Sequence, residues 1–270
     1  MSAGAGATET VGGVGGDSGV GADGVDAVGA RPRLRWWREL LYILAFYAIY
    51  TAVRNTQGSA TVSATHARTN AHRVIRLERL VGAFQEHRIQ DLFLPYRWFI
   101  QFWDVFYGTA HFVVTAVALI VLFRRMKDRY PLWRNTLACT TALALIGFAA
   151  FPLMPPRLLH EYGFVDTLQR FGGLWSFDSG AMQKISNQYA AMPSLHFAWS
   201  SWSALVLLPM LKRPWAKALA LAYPFLTLFA IVVTANHYIL DAVGGAVVLA
   251  CGFGLGRLIT AFNTRAARGR

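Results

Sequence analysis

Charged side chains are scarce in this chain. They make up 15% of its 270 residues, whereas 55% of the residues are hydrophobic. Soluble domains usually contain about a quarter charged residues. The hydrophobic residues also gather in long blocks instead of recurring in an amphipathic rhythm. The scarcity of charge therefore excludes an ordinary soluble domain and indicates a polytopic membrane protein.

Cysteine is nearly absent as well. Cys139 and Cys251 both lie in apolar runs, and the chain has no Cys-x-x-Cys pair. This pattern indicates neither a structural disulfide nor a cysteine metal site. From the sequence we expect no metal and no cofactor.

The first thirty residues contain no Lys or Arg. A signal peptide has a basic start and an apolar centre, and this segment has neither. Its Gly, Ala, Val, Asp and Thr residues show no periodicity and cannot bury a core. We predict that residues 1–30 form a disordered cytoplasmic tail.

Six apolar runs follow this tail. Their approximate bounds are 39–53, 99–123, 135–153, 195–211, 215–235 and 240–262. A helix needs about 20 apolar residues to cross a bilayer, so we expect the first run to continue to Arg54 or slightly beyond. The predicted fold is an all-α integral membrane bundle of six transmembrane helices over residues 31–264, followed by a basic C-terminal tail at 265–270.

Basic residues orient this bundle. They cluster in residues 31–38, 124–134 and 212–217 and at the C-terminus, which all fall on one side if every run crosses the membrane. The positive-inside rule makes that side cytoplasmic. We therefore expect a plasma-membrane protein with both termini in the cytoplasm and the 154–195 loop outside. The net charge of +12 then sets topology and does not predict nucleic-acid binding.

The connector at 54–98 departs from this rule, since it is rich in Arg and lies on the outer side. Within it Val74, Leu77, Val81 and Phe84 recur at helical spacing among charged residues. This pattern predicts an amphipathic helix in the membrane interface between the first and second spans. Two roles fit such a helix: a packing lid, or a contact with anionic lipid head groups.

A histidine and a carboxylate stand at the start of the sixth run. His237 and Asp241 are four residues apart, a spacing that places them on one face of a helix. The carboxylate can accept the proton of one ring nitrogen and leave the other nitrogen free to attack. A purely structural His–Asp pair in a helix bundle has the same spacing.

A second histidine stands at the start of the fourth run, in Pro193-Ser194-Leu195-His196. Proline suits the first turn of a helix, so His196 is expected beside a helix N-terminus. There its imidazole can protonate a leaving alkoxide as general acid. A proline at a helix start with an incidental histidine is the structural alternative.

An arginine follows the prolines that end the third run. Arg157 is thereby expected at the level of both histidines, where a guanidinium suits a phosphoryl group; an interfacial anchor is the alternative. Three sites on three runs then meet at one membrane face. The candidate catalytic residues are His237, His196 and Asp241, and the candidate phosphate-binding residues are Arg157, Ser194 and Asn236.

Two ionisable residues lie within the second run. Asp104 and His111 are seven residues apart and so share one helix face. Ionisable groups at this depth are usually paired and often functional. They either line the substrate cavity, together with Arg54, or pack internally through hydrogen bonds. The nearby aromatic residues fit an interfacial belt better than a ligand box: Trp98, Phe99, Phe102, Trp103 and Tyr107.

Over about residues 40–262 the chain resembles the type 2 phosphatidic acid phosphatase superfamily. Most lipid phosphatases of this superfamily have Pro-Ser-Gly-His, whereas this chain has Pro-Ser-Leu-His. In this motif the chain resembles the inositolphosphotransferase branch, whose members are similar to inositol-phosphorylceramide synthase. The resemblance implies that His237 is a nucleophile that forms a phosphohistidine and that Asp241 orients it. It also implies that His196 is the general acid and that Arg157 holds the phosphate.

Three positions depart from the superfamily pattern. Ala150 stands where a Lys usually precedes the motif Arg, Leu158 where a Pro follows it, and Ile231 where an Arg often precedes the nucleophile. The synthase-like branch shares some of these losses. The candidate substitutes in phosphate binding are Arg54, Arg170 and Lys184.

The sequence thus predicts a membrane lipid phosphatase or phosphotransferase that works without metal at the extracytoplasmic face. A phosphoinositol-type head group is implied by the resemblance alone. The alternative is a transporter or flippase of lipid-linked cargo, for which internal repeats and ionisable groups near mid-membrane are typical. The chain shows no repeat, and its key ionisable groups lie at the ends of runs. Its partners are the bilayer and a lipid substrate, and the oligomeric state is open.

Overall fold

The computed structural model describes residues 35–56, 63–171 and 188–268. In these segments the regular structure is helical, with one isolated bridge between Leu153 and Ala190. The helices are α1 (Trp36–Thr56), α2 (Ala64–Leu80), α3 (Glu86–Phe93), α4 (Arg97–Arg125), α5 (Tyr130–Ala150), α6 (Thr167–Phe171), α7 (Leu195–Leu207), α8 (Pro214–Val233) and α9 (Ile239–Arg268). The predicted tail at 1–30 and Lys184 lie outside the described residues.

All six predicted apolar runs form helices, so the all-α prediction is confirmed. Three of the described helices are long and apolar enough to cross a membrane: Arg97–Arg125, Pro214–Val233 and Ile239–Ala266. These helices indicate membrane association. The count of six spans remains a prediction. The predicted C-terminal tail begins inside α9, which continues to Arg268.

Local signals explain where several helices start and where α4 ends. Pro131 and Pro214 lie in the first turns of α5 and α8, where the missing amide hydrogen has no partner to lose. Ser194 caps α7, since its side chain accepts a hydrogen bond from the amide of Phe197 at 3.4 Å. Arg124 and Arg125 lie in the last turn of α4, where positive charge is favourable.

Two glycines allow α5 and α9 to pack with their backbones close together. A Cβ atom on Gly252 would collide with Thr140, and one on Gly256 would lie 2.8 Å from the amide nitrogen of Thr136. Gly254 stands between them and faces open space. Small residues four apart permit close approach of helices in membranes. This contact fixes α9, the helix that begins beside His237.

The predicted amphipathic helix exists as α2, but its buried face differs from the predicted one. Val74 is buried, whereas Leu77 and Val81 are 54% and 72% exposed. The helix ends at Leu80, and Gly82 has a positive φ of 72°, so Phe84 lies beyond the helix. The buried positions of α2 are Ala67, Asn70, Ala71, Val74, Ile75 and Glu78. An interfacial location for α2 remains a prediction.

Helix α2 holds the segment that follows α5. The side-chain amide of Asn70 donates to the carbonyl of Pro152 at 2.9 Å, and the amide of Met154 donates to the carbonyl of Ala67 at 3.2 Å. This segment leads directly into the turn that contains Arg157. The contacts of α2 therefore help to position that turn.

Candidate active site

His237 lies in the short connection between α8 and α9 and is 3% exposed. Its Nδ1 atom is 2.8 Å from the carbonyl oxygen of Ala191 and 3.2 Å from Oδ2 of Asp241. A carbonyl only accepts, so Nδ1 bears the proton and donates it. In the neutral ring the Nε2 atom then has the free electron pair. The predicted His237–Asp241 pair forms, and Ala191 adds an acceptor that the sequence did not indicate.

The side chains of His237 and His196 lie in direct contact. His237 Nε2 lies 3.3 Å from Nδ1 of His196, although 41 residues separate them in the chain. Because His237 Nε2 bears an electron pair, His196 Nδ1 is the donor in this contact. The nitrogen suited to attack thus faces a second imidazole that can release and take up a proton.

Asp241 connects this site to the start of α7. It is fully buried, and its Oδ2 atom accepts the amide of Tyr238 at 3.0 Å in addition to Nδ1 of His237. Its main-chain carbonyl accepts the amide of Ser194 at 2.9 Å. One residue therefore fixes both the His237 ring and the backbone that leads to His196.

Aromatic rings of α4 surround His196. The Tyr107 ring stacks on it with 4.2 Å between centroids and 26° between planes, and the His111 ring lies 4.3 Å away. The expectation that Tyr107 belongs to an interfacial belt is therefore wrong. Its position three residues after Asp104 and four before His111, on the face that both share, was the available signal.

The other aromatic residues of this region divide in two. Trp98 and Phe102 are 72% and 56% exposed, as a belt requires, whereas Trp103 is buried against Ile100, Ala230 and Val233. Periodicity separates them, because Trp103 and Tyr107 lie four apart on the side of α4 that faces the protein.

Ser194 and Asn236 lie beside the histidines, and their side chains have local partners. Ser194 caps α7 through its hydroxyl oxygen. The Asn236 amide nitrogen donates to the Thr234 hydroxyl at 2.8 Å. This bond supports a tight turn in which Ala235 adopts a positive φ of 52°. Phosphate binding by Ser194 and Asn236 stays a prediction.

Arg157 lies in a short turn next to the connection between α8 and α9, which contains His237. Its amide donates to the carbonyl of Ala235, two residues before His237, at 2.8 Å. Its Nη1 atom donates to Oδ2 of Asp166 at 2.8 Å, and its Nε atom is buried with no partner among the described residues. The guanidinium is thus held by one carboxylate and keeps an unused donor.

Asp104 belongs to the same polar group. It is 2% exposed, and its Oδ1 atom accepts the hydroxyl of Thr167 at 2.8 Å. Thr167 directly follows Asp166, the partner of Arg157, so α6 joins the two. His111 bonds its own helix, with Nδ1 donating to the carbonyl of Tyr107 at 3.0 Å. Internal hydrogen bonding, one of the two predicted roles, is thus observed for both residues.

Of the three predicted substitutes for phosphate binding, the structure describes the side chain of Arg170. Arg170 is exposed on α6 and stacks over Phe171. Arg54 belongs to α1, but its side chain is outside the described part of the structure, as is all of Lys184. Arg157 is therefore the described arginine that the structure ties to the histidine connection.

The fold and the site define a helical, membrane-associated protein in which a partly buried His196 lies against a buried His237–Asp241 pair. A family model described as the PAP2 superfamily matches residues 72–255, more than half of the chain. The chain belongs to the PAP2 superfamily. This membership supports phosphatase-type chemistry, since members of the superfamily are phosphatases. Neither the curated proteins nor the solved structures include a significant match.

Proposed function

We propose that this protein is an integral membrane lipid phosphatase or phosphotransferase that forms a phosphohistidine on His237. The observation that supports this most directly is the pair of bonds on the His237 ring. Nδ1 donates to Ala191 and Asp241, and Nε2 faces His196. A ring fixed in this tautomer is prepared for nucleophilic attack.

In the first step, Nε2 of His237 attacks the phosphorus of the lipid phosphoester. The bond from phosphorus to the lipid alcohol breaks, and His196 gives a proton to the departing oxygen. The charged Asp241 side chain stabilises the positive charge that develops on the His237 ring. Arg157 binds the phosphoryl oxygens through its unused Nε donor.

The second step reverses these roles. His196 takes a proton from water or from an acceptor hydroxyl, and that oxygen attacks the phosphorus. The bond between phosphorus and His237 breaks, which restores the free imidazole. Water as acceptor gives hydrolysis, and a hydroxyl-bearing lipid gives transfer. The gap of 3.3 Å between the two nitrogens cannot hold a phosphoryl group, so the substrate must displace this contact.

The finer parts of the proposal rest on the sequence. Pro193-Ser194-Leu195-His196 resembles the branch that transfers phosphoinositol-type head groups. The distribution of basic residues favours six spans, cytoplasmic termini and an extracytoplasmic site. The chemistry that we propose uses the two imidazoles and needs no metal.

Turnover in proteoliposomes that contain EDTA tests this proposal. The donors are labelled phosphatidic acid, a polyprenyl phosphate and phosphatidylinositol, and the variants are His237→Ala and, as a matched control, His66→Ala. His66 is an exposed histidine of α2. We expect wild type and His66→Ala to turn over at least one donor with EDTA present, and His237→Ala to turn over none.

The labelled product separates the two reactions: free phosphate or head-group phosphate indicates hydrolysis, and a modified acceptor lipid indicates transfer. Release of phosphate from simple lipid phosphates alone, with no modified acceptor under any condition, would refute the transferase part. If wild type turns over no donor and is indistinguishable from His237→Ala, the proposed enzyme activity is refuted and transport of lipid-linked cargo is favoured.

A further inference from the structure

The first turn of α9 is held by two buried glutamates from distant parts of the chain. The amide of Ile239 donates to Oε1 of Glu86 at 3.0 Å, and the amide of Leu240 donates to Oε1 of Glu78 at 2.8 Å. Both glutamates are 0% exposed. The chemistry proposed above uses neither of them.

This cap is a tertiary contact. The first amides of a helix usually bond to a side chain just before the helix. Here the partners stand 153 and 162 residues away, on α3 and α2. The preceding amide, that of Tyr238, takes the local acceptor Asp241. Helices α2 and α3 are thus joined directly to α9, the helix that follows the proposed nucleophile His237.

The protonation of Glu78 is compatible with two carboxyl groups lying side by side in this buried position. Burial, and then the neighbouring Glu86 carboxyl group, raise the pKa of Glu78 to about 9. Glu78 is therefore protonated at neutral pH. The Oε2 atoms of Glu78 and Glu86 accept no hydrogen bond from the described side chains. The proton on Glu78 provides a donor between these two adjacent carboxyl groups.

We propose that Glu78 and Glu86 are positioning residues, which hold the start of α9 so that His237 and Asp241 keep the geometry for phosphoryl transfer. His237 precedes the two held amides by two and three residues. On its other side, the Ala235 carbonyl is bonded to the Arg157 amide at 2.8 Å. Hydrogen bonds to the backbone before and after His237 thus hold the proposed nucleophile in position.

This inference rests on the proposed function, and paired substitutions test it in the full-length protein in proteoliposomes. Glu78→Gln and Glu86→Gln retain an oxygen that can accept the amide. In Glu78→Met and Glu86→Met, the methionine side chain has nearly the length of glutamate and fills the same buried space, but it has no carboxyl oxygen to accept the amide. Asp91→Asn removes an exposed carboxylate of α3 and serves as the matched control.

We expect each Met variant to lower kcat by about 10- to 100-fold, because small displacements of a catalytic group cost that much. The KM should stay within about twofold, since neither glutamate touches the substrate. The Gln variants should keep kcat within about threefold of wild type. Amide hydrogen exchange of the peptide that covers 237–242 should accelerate in the Met variants only.

A kcat per folded molecule within about twofold of wild type in both Met variants would overturn the proposal. Equal losses in the Gln and Met variants would do so too, because the amide contact would then not be the cause. Should a Met variant fail to fold, Glu78→Asp provides the same test, since a shorter carboxyl group cannot reach the Leu240 amide from the same backbone. If wild type turns over no donor, the proposed function fails, and hydrogen exchange still decides whether the glutamates hold the helix.

Discussion

At the scale of single residues, the two acceptors of His237 Nδ1 have different effects. The Ala191 carbonyl, at 2.8 Å, fixes the tautomer and carries no charge. In the proposed mechanism, the Asp241 carboxylate, at 3.2 Å, also stabilises the positive charge that develops on the ring during attack. Orientation and charge stabilisation therefore come from separate groups, which substitution can distinguish.

Asp241→Asn should reduce kcat by about 100-fold, because it removes the charge. The tautomer survives, since the Ala191 carbonyl still accepts the Nδ1 proton. Steady-state kinetics on the preferred lipid donor should therefore show residual activity above that of His237→Ala. A wild-type kcat in Asp241→Asn would contradict the proposed role.

Arg157→Lys should raise KM by about tenfold or more. The planar guanidinium bonds Asp166 through one nitrogen and has a second donor, Nε, for phosphate, whereas an ammonium group cannot hold both positions. Arg170→Lys, at an exposed position of α6, is the control and should leave KM unchanged. If Arg170→Lys raised KM and Arg157→Lys did not, the phosphate site would be assigned wrongly.

At the scale of elements, α9 packs closely against α5. The two helices approach closely where Gly252 and Gly256 face Thr140 and Thr136. Since α9 begins shortly after His237, a shift in this packing would displace the proposed active site.

Gly252→Leu and Gly256→Leu should each lower the free energy of unfolding by about 1–3 kcal/mol through overpacking. Gly254→Leu should leave it unchanged, because a Cβ there meets nothing within 4 Å. Thermal unfolding in detergent measures the difference. Equal stability of all three variants would show that the helices do not pack as described.

The sequence predicted the parts of the site that depend on local pattern. The His237–Asp241 pair follows from helical spacing, and the helix start beside His196 follows from Pro193. The proline itself lies just before the helix, and Ser194 is the capping residue. The Ala191 carbonyl and the Glu78 and Glu86 caps could not be predicted, because they come from elements that only the tertiary fold brings together.

Helix α2 shows a different limit of sequence reasoning. The spacing of Val74, Leu77 and Val81 is helical, yet the buried face runs through the small residues Ala67 and Ala71. Hydrophobic spacing alone does not distinguish a face that packs on protein from one that meets lipid. In the structure, burial identifies the face of α2 that packs on protein.

At the scale of the whole molecule, the six-span arrangement predicts which loops are accessible from each side. In a Cys139→Ser/Cys251→Ser background, Asp128→Cys and Lys212→Cys should react with an impermeant thiol reagent only from the cytoplasmic side. Glu161→Cys should react only from outside. All three replaced residues are exposed. Labelling of Glu161→Cys from the cytoplasmic side would contradict the proposed extracytoplasmic position of the active site.

The most direct test of the central claim is to trap the phosphorylated enzyme. A phosphate-labelled donor with a nitrophenol leaving group, which departs without an acid, is mixed with His196→Asn and quenched rapidly. The intermediate should accumulate, because the second step lacks its base, and peptide mapping should place the label on His237. Label on another residue, or unchanged turnover in His237→Ala without any label, would contradict a phosphohistidine mechanism.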